Sequence, residues 1–156
     1  MRAVRALHVE AMELSNMTTI INRFPYRVRY ADTDTMHYMY NGQYLTLFEI
    51  GRTELLRAIG LPYSSLEKSG VLLPVMEAHV FYEQPSFYDD ELVIETTFTW
   101  EKTASIMMHY RILREEDVIA HGSTKHCFLH AEKRVPVRPP SQFLRVIEDA
   151  IAGSAT

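Results

Sequence analysis

The chain has 156 residues and a mass of 18.1 kDa; 47% hydrophobic and 23% charged residues exclude a disordered or fibrous protein and fit one domain with one core. With 16 Lys+Arg against 20 Asp+Glu the formal charge is -4, the wrong balance for a nucleic-acid surface. No apolar run approaches the roughly 18–20 residues of a membrane span, and the single cysteine, Cys127, cannot form an internal disulfide, so a reducing, cytoplasmic setting is expected.

Residues 1–22 differ in pattern from the rest of the chain. Val4, Leu7, Ala11 and Leu14 recur at three- and four-residue steps, which reads as a weak amphipathic helix or a frayed extension. Glu10 and Glu13 argue against a transit peptide, and Met17 is a candidate natural start. Tyr26, Val28 and Tyr30 alternate with arginines as in a half-buried strand. Ala31–Gly42 has no clear period. From Gln43 to Ile59 the pattern is helical, with Tyr44, Leu47, Phe48, Leu55 and Leu56 on a broad apolar face. Gly51 inside that helix costs propensity but lets the helix backbone approach a sheet. Gly60 and Pro62 end it.

After Pro62 the chain reads as strands. They are Val75–Gln84, Glu91–Glu101, Ala104–Arg114 and Val118–His130, with turns at Glu101–Thr103 and Glu115–Asp117. Gly122 suggests a bulge or a close backbone approach. Ser141 can cap a last helix over residues 141–156, with Phe143, Leu144, Ile147 and Ile151 on one face. The sum is an α+β fold with a mostly antiparallel sheet. One long helix covers one sheet face, so the C-terminal helix or a second subunit must cover more, and an open edge strand invites self-pairing.

Common catalytic signatures are absent. His126 and His130 are four apart, but in a strand that spacing spans about 13 Å, too far for one metal. No metal or other cofactor is expected. Cys127, among alternating large neighbours, reads as a buried structural thiol. There is no Gly-x-Ser-x-Gly elbow and no glycine-rich phosphate loop. The informative segment is Asp32–Met36, followed by His37–Asn41 and the helix. Helix N-terminal N–H groups are unpaired and partly positive. They can hold an oxyanion while a nearby carboxylate acts as base or nucleophile. The same Asp and Asn residues could equally be plain caps.

The stretch Arg29–Leu56, RYADTDTMHYMYNGQYLTLFEIGRTELL, resembles the signature of hotdog-fold acyl-CoA thioesterases of the 4-hydroxybenzoyl-CoA thioesterase type. Tyr30, Thr33, Asp34, Tyr40, Tyr44, Leu45, Phe48, Glu49 and Arg52 match the pattern, and QPSFYDDELVI resembles the family's entry to a central strand. The resemblance covers about Phe24–Pro139 and implies the hotdog fold, an antiparallel sheet wrapped around one long helix. A hotdog domain over residues 23–140 is therefore expected. It also implies that Asp34 attacks the thioester carbonyl or activates water, while backbone N–H groups near Asn41 and Gly42 hold the carbonyl oxygen. Met36, His37, Tyr38, Met39 and Tyr40 would bind the acyl group, and Glu49 is the alternative carboxylate. His37 stands where the family usually has Gly, Asn41 where one branch has His, and Gln43 replaces a frequent Asn. The substrate expected is an acyl-CoA or an acyl-carrier-protein thioester. The assembly expected is a homodimer, or a tetramer of two dimers, with sites between subunits. A hotdog protein that binds acyl thioesters without turning them over is the alternative. A hotdog dehydratase is a third reading, though His37 lies in the wrong element for its histidine.

Overall fold

The computed structural model describes residues 10–14 and 17–154. Strands β1 (Glu10–Leu14) and β2 (Met17–Arg27) open the fold, followed by a 3-10 turn at Tyr30–Asp32. Helix α1 (Gln43–Ala58) and the short α2 (Tyr63–Lys68) come next. The remaining elements are β3 (Val71–Leu72), β4 (Val75–Tyr82), β5 (Glu91–Trp100), β6 (Ser105–Arg114), β7 (Asp117–His130), β8 (Pro136–Val137) and α3 (Ser141–Ser154). The sheet order is β1-β2-β5-β6-β7-β3, with β4 and β8 also on β7. Every pairing is antiparallel.

Period-two patterning decides which way the strands face. Leu92, Ile94, Thr96 and Phe98 of β5 point to the core, as do Ile106, Met108, Tyr110 and Ile112 of β6. Leu47, Phe48, Leu55 and Leu56 of α1 meet that face, and the Phe48 ring stacks on Tyr110 at 4.3 Å. Helix α3 lies on the same face. Its Phe143 packs edge-on against Phe98, Trp100 and Phe128. The opposite face is polar, with Glu95 bridging Arg23 and Arg111 at 2.9 Å each. This is the sheet-around-helix architecture the resemblance implies.

Where the first 22 residues are described they form neither the short helix nor the frayed extension expected of them. Glu10–Leu14 and the start of β2 form a strand pair, Glu10 opposite Ile21 and Leu14 opposite Met17. The three- and four-residue spacing of apolar side chains is overridden by pairing, because β2 itself is anchored to β5 from Thr18 to Arg27. A domain boundary at 22/23 would thus cut through β2. Residues 1–9 lie outside the described residues. Local chemistry explains two further departures from expectation. The strand expected to run on to Tyr30 stops at Arg27, because the Asp32 carboxylate accepts hydrogen bonds from Tyr26 Oη (2.6 Å), Arg29 N (2.8 Å) and Arg29 Nη2 (3.0 Å), which folds the chain into the 3-10 turn. Cys127 is only half-buried, since it alternates with the inward-facing His126 and Phe128 and so points to the outer face.

Two glycines are fixed by close approach. A Cβ on Gly51 would stand 2.3 Å from Thr96 Oγ1 and 2.6 Å from Ile94 Cγ2. A Cβ on Gly122 would stand 2.0 Å from the His79 carbonyl oxygen and 2.8 Å from Phe48 Cε2. Gly51→Ala gains about 1 kcal/mol of helix propensity but loses about 1–3 kcal/mol to overpacking. Gly122→Ala meets backbone that cannot rotate away, so the β4–β7 ladder must open. Urea midpoints should therefore rank wild type above Gly51→Ala and Gly51→Ala above Gly122→Ala. A Gly122→Ala midpoint equal to wild type contradicts the close approach.

Candidate active site

The loop before α1 is a small hairpin. Thr33 and Met39 form an antiparallel bridge. Asp34 N–H donates to Tyr38 O at 3.1 Å and His37 N–H to Asp34 O at 3.0 Å. The Asp34 side chain turns back on its own loop, where Oδ1 accepts the Met36 N–H at 2.8 Å, an Asx turn of the kind aspartate favours. Oδ2 has no protein donor among the described residues. The hairpin is tied at its base by Tyr40 N–H to Asp32 O and Met39 N–H to Ser86 O, both 2.8 Å.

Asp32, the other carboxylate of the segment, is buried and fully engaged. Burial alone would raise its pKa, but the hydrogen bonds from Arg29 and Tyr26 outweigh it and hold the carboxyl below its ordinary range. It is a fastener for the turn. Asp34 is half-buried and open to the cleft.

At the start of α1, Gly42 is the N-cap at φ -67, ψ -20. Gln43 N–H is taken by Tyr40 O at 3.0 Å and Tyr44 N–H by Asn41 O at 3.4 Å. The N–H groups of Asn41 and Gly42 have no protein acceptor among the described residues. Asp34 and Asn41 line one cleft of about 370 Å³. Met36, Tyr38 and Met39 supply much of its apolar wall, and Tyr44, Tyr82, Glu83, Gln84 and Pro85 close the other side.

The structure brings Asp34, Met36, Tyr38, Met39 and Asn41 together, but not every residue expected there. His37 and Tyr40 are exposed and do not line the cleft, Gly42 is half-buried beside Asn41 and is not itself a lining residue, and Glu49 lies on the exposed side of α1. His37 has φ 66, a left-handed conformation that glycine adopts without cost. The departure from the family's Gly is thus a matter of backbone at a turn tip. Arg52, grouped from sequence with Glu49, lies beside Tyr110 and His126. Both ring nitrogens of His126 are occupied, by Thr124 Oγ1 at 2.7 Å and Pro74 O at 3.2 Å. His130 Nδ1 accepts the N–H groups of Glu132 and Lys133.

Sequence reasoning missed the far wall, Tyr82–Ser86. Those residues are some forty positions beyond Asn41, and the motif QPSFYDD begins among them. Ser86 is fully buried and its hydroxyl meets Tyr44 Oη at 3.0 Å. Glu83 is a second carboxylate in the cleft, paired with His121 Nε2 at 3.0 Å.

Residues 28–147 match the model of the thioesterase-like superfamily. The chain is similar to the acyl-CoA thioesterase YbgC of Haemophilus influenzae, 31% identical over 120 residues, covering 76% of this chain and 88% of that protein. It is similar to the acyl-CoA thioester hydrolase YbgC of Escherichia coli O157:H7, 33% identical over 103 residues, covering 66% and 77%. Among solved structures it resembles a DHNA-CoA thioesterase from Staphylococcus aureus, with TM-score 0.74, 26% identity, and 86% and 91% of the two chains covered.

Proposed function

The chain belongs to the thioesterase-like superfamily and is a thioester hydrolase of the acyl-CoA thioesterase class, and from that premise we propose that Asp34 is the working carboxylate. The observation that carries this reading is the placement of Asp34 and Asn41 on one cleft with complementary open valences among the described residues: a carboxylate oxygen without a donor on one side, and on the other the Asn41 N–H without an acceptor, with the equally open Gly42 N–H next in the chain. Asp34 attacks the thioester carbonyl carbon or takes a proton from a water that does. The carbonyl oxygen gains negative charge as it becomes tetrahedral, and the Asn41 and Gly42 N–H groups at the positive end of α1 receive it. Collapse breaks the C–S bond and expels the thiolate; where water is the attacking group this leaves the carboxylic acid, and where Asp34 attacks it leaves an acyl–Asp34 anhydride, which a water then cleaves to the acid and the free carboxylate. A thioester is already activated, so no further group is needed to reach this point. Met36, Tyr38 and Met39 provide the apolar wall for the acyl or aryl group.

The test is thiol release from a panel of aliphatic and aryl acyl-CoAs and acyl-carrier-protein thioesters in buffer free of added thiol. Release from at least one CoA thioester, dependent on Asp34, is expected. Binding without release across the panel would favour the non-catalytic alternative.

The functional unit we propose is a homodimer, or two such dimers. Strand β4 pairs only with β7 among the described residues and is exposed along nearly its whole length. Val75, Met76, Phe81 and Tyr82 on it, with Met36 and Tyr40 on the loop, are apolar groups in water, an arrangement that marks an interaction surface. A partner along this edge would cover them and bring its own residues to the cleft. Activity and apparent stability should then fall together on dilution. A monodisperse species of 18.1 kDa with full activity in light scattering would contradict the shared site.

A further inference from the structure

We propose that Tyr82 is a positioning residue of this site, acting through the peptide that joins Asn41 to Gly42; the inference rests on the thioesterase reading above. The Tyr82 hydroxyl donates to the Asn41 carbonyl oxygen at 3.0 Å. That carbonyl and the Gly42 N–H belong to one planar trans peptide, so fixing the direction of the oxygen fixes the direction of the hydrogen. Among the described residues Asn41 O has one other donor, Tyr44 N–H at 3.4 Å. The phenol therefore makes the shorter of the two bonds. Hydrogen bonds in series polarise one another, so donation to the carbonyl also makes the Gly42 N–H a better donor to a developing oxyanion.

The phenol is itself held in place. Its ring meets Tyr44 edge-on, centroids 5.3 Å apart at 75°. Tyr44 Oη is fixed by the buried Ser86 hydroxyl at 3.0 Å. Ser86 O in turn accepts the Met39 N–H at 2.8 Å, at the end of the Asp34 hairpin. One cluster thus reaches both arms of the site, the carboxylate through Ser86 and Met39 and the helix start through Tyr82. Tyr82 is brought there by its register opposite Ala120 in β7, and it lines the cleft with Asp34 and Asn41.

Tyr82→Phe keeps the ring and removes the hydroxyl. Direct loss of an oxyanion donor lowers kcat by about 10²–10³-fold, so loosening one from behind should lower it roughly ten-fold. KM for the acyl-CoA should stay within about two-fold, because the bond tightens with charge that develops only in the transition state. A second readout needs no substrate: the Gly42 amide proton should move upfield in the ¹⁵N–¹H spectrum of the variant. The paired result, lower kcat with near-constant KM and a displaced Gly42 amide, is the expected one. A rise in KM alone, a fall in kcat without the amide shift, or an amide shift with unchanged kcat overturns the proposal. Absence of thiol release in the wild type would instead count against the thioesterase reading, with the amide shift still reporting the hydrogen bond.

Discussion

Asp34→Asn should lower the rate of thiol release from acyl-CoA by about 10²–10⁴-fold, the range that a general-base carboxylate contributes. The fold should hardly notice. The only donor to the side chain among the described residues is the Met36 N–H, on Oδ1 at 2.8 Å, and an asparagine oxygen accepts that bond equally well. The Asx turn survives, the hairpin stays tied through Met39 and Tyr40, and the urea midpoint should match wild type. What is lost is a negatively charged oxygen, with its basicity and its nucleophilicity. Wild-type turnover in this variant would transfer the role to another carboxylate. Glu83, which lines the cleft, would then be a stronger candidate than Glu49, which does not.

The second large effect is on stability against pH. His126 is fully buried. Its Nδ1 lies 3.2 Å from Pro74 O, an atom that can only accept, so Nδ1 carries the proton and Nε2 accepts from the Thr124 hydroxyl at 2.7 Å. Thr124 Oγ1 in turn receives the Tyr110 hydroxyl at 2.6 Å. Burial, with the nearby positive charge of Arg52, pushes the His126 pKa down from 6.5 to about 4. Between those values the unfolded chain binds a proton that the native state refuses. Stability is therefore complete above about pH 6.5, falls as pH drops towards 4, and levels off below. The loss is about 3 kcal/mol, from roughly 2.5 pKa units at 1.36 kcal/mol each. Asp32 works in a lower window, because its depressed pKa contributes stability that is lost only as pH falls below the ordinary carboxylate value of 3.8. Urea midpoints at pH 7, 5.5 and 4 should decline in wild type, and the decline should flatten in His126→Gln. A wild-type profile that is flat over this window contradicts a neutral, buried His126.

Much of the scaffold was legible because its signals are local and strong. The 3.6-residue period of α1, the alternation in β5 and β6 and the turn residues between them depend on neighbours in sequence. Gly51 was legible as a close approach, and Gly122 as a close approach or a bulge, because a glycine inside a patterned element has few other uses. The parts that were not legible depend on partners far away. Glu10–Leu14 has an apolar spacing that suits a helix and becomes a strand because β2 lies beside it. Helix α2 is only six residues long, and β3 and β8 two each, too short for any period to show. The near arm of the site, Asp34 to Asn41, could be picked out because it is contiguous with the helix start. The far arm, Tyr82 to Ser86, reaches it only through the pairing of β4 with β7, which no local pattern encodes. His37 shows the remaining difficulty. Its residue type suggested a substrate contact, whereas its φ of 66 marks it as the tip of a turn.

Single-turnover chemistry tests most directly whether this cleft hydrolyses thioesters. Wild-type protein in excess is mixed with an acyl-CoA that it binds, and free thiol and free carboxylic acid are quantified together. Hydrolysis at the cleft predicts one equivalent of thiol and one of acid per acyl-CoA at completion, appearing together if Asp34 activates a water and with thiol ahead of acid if Asp34 attacks directly. Acyl-CoA recovered intact from the complex, or a final yield of acid that stays below the yield of thiol, would contradict it.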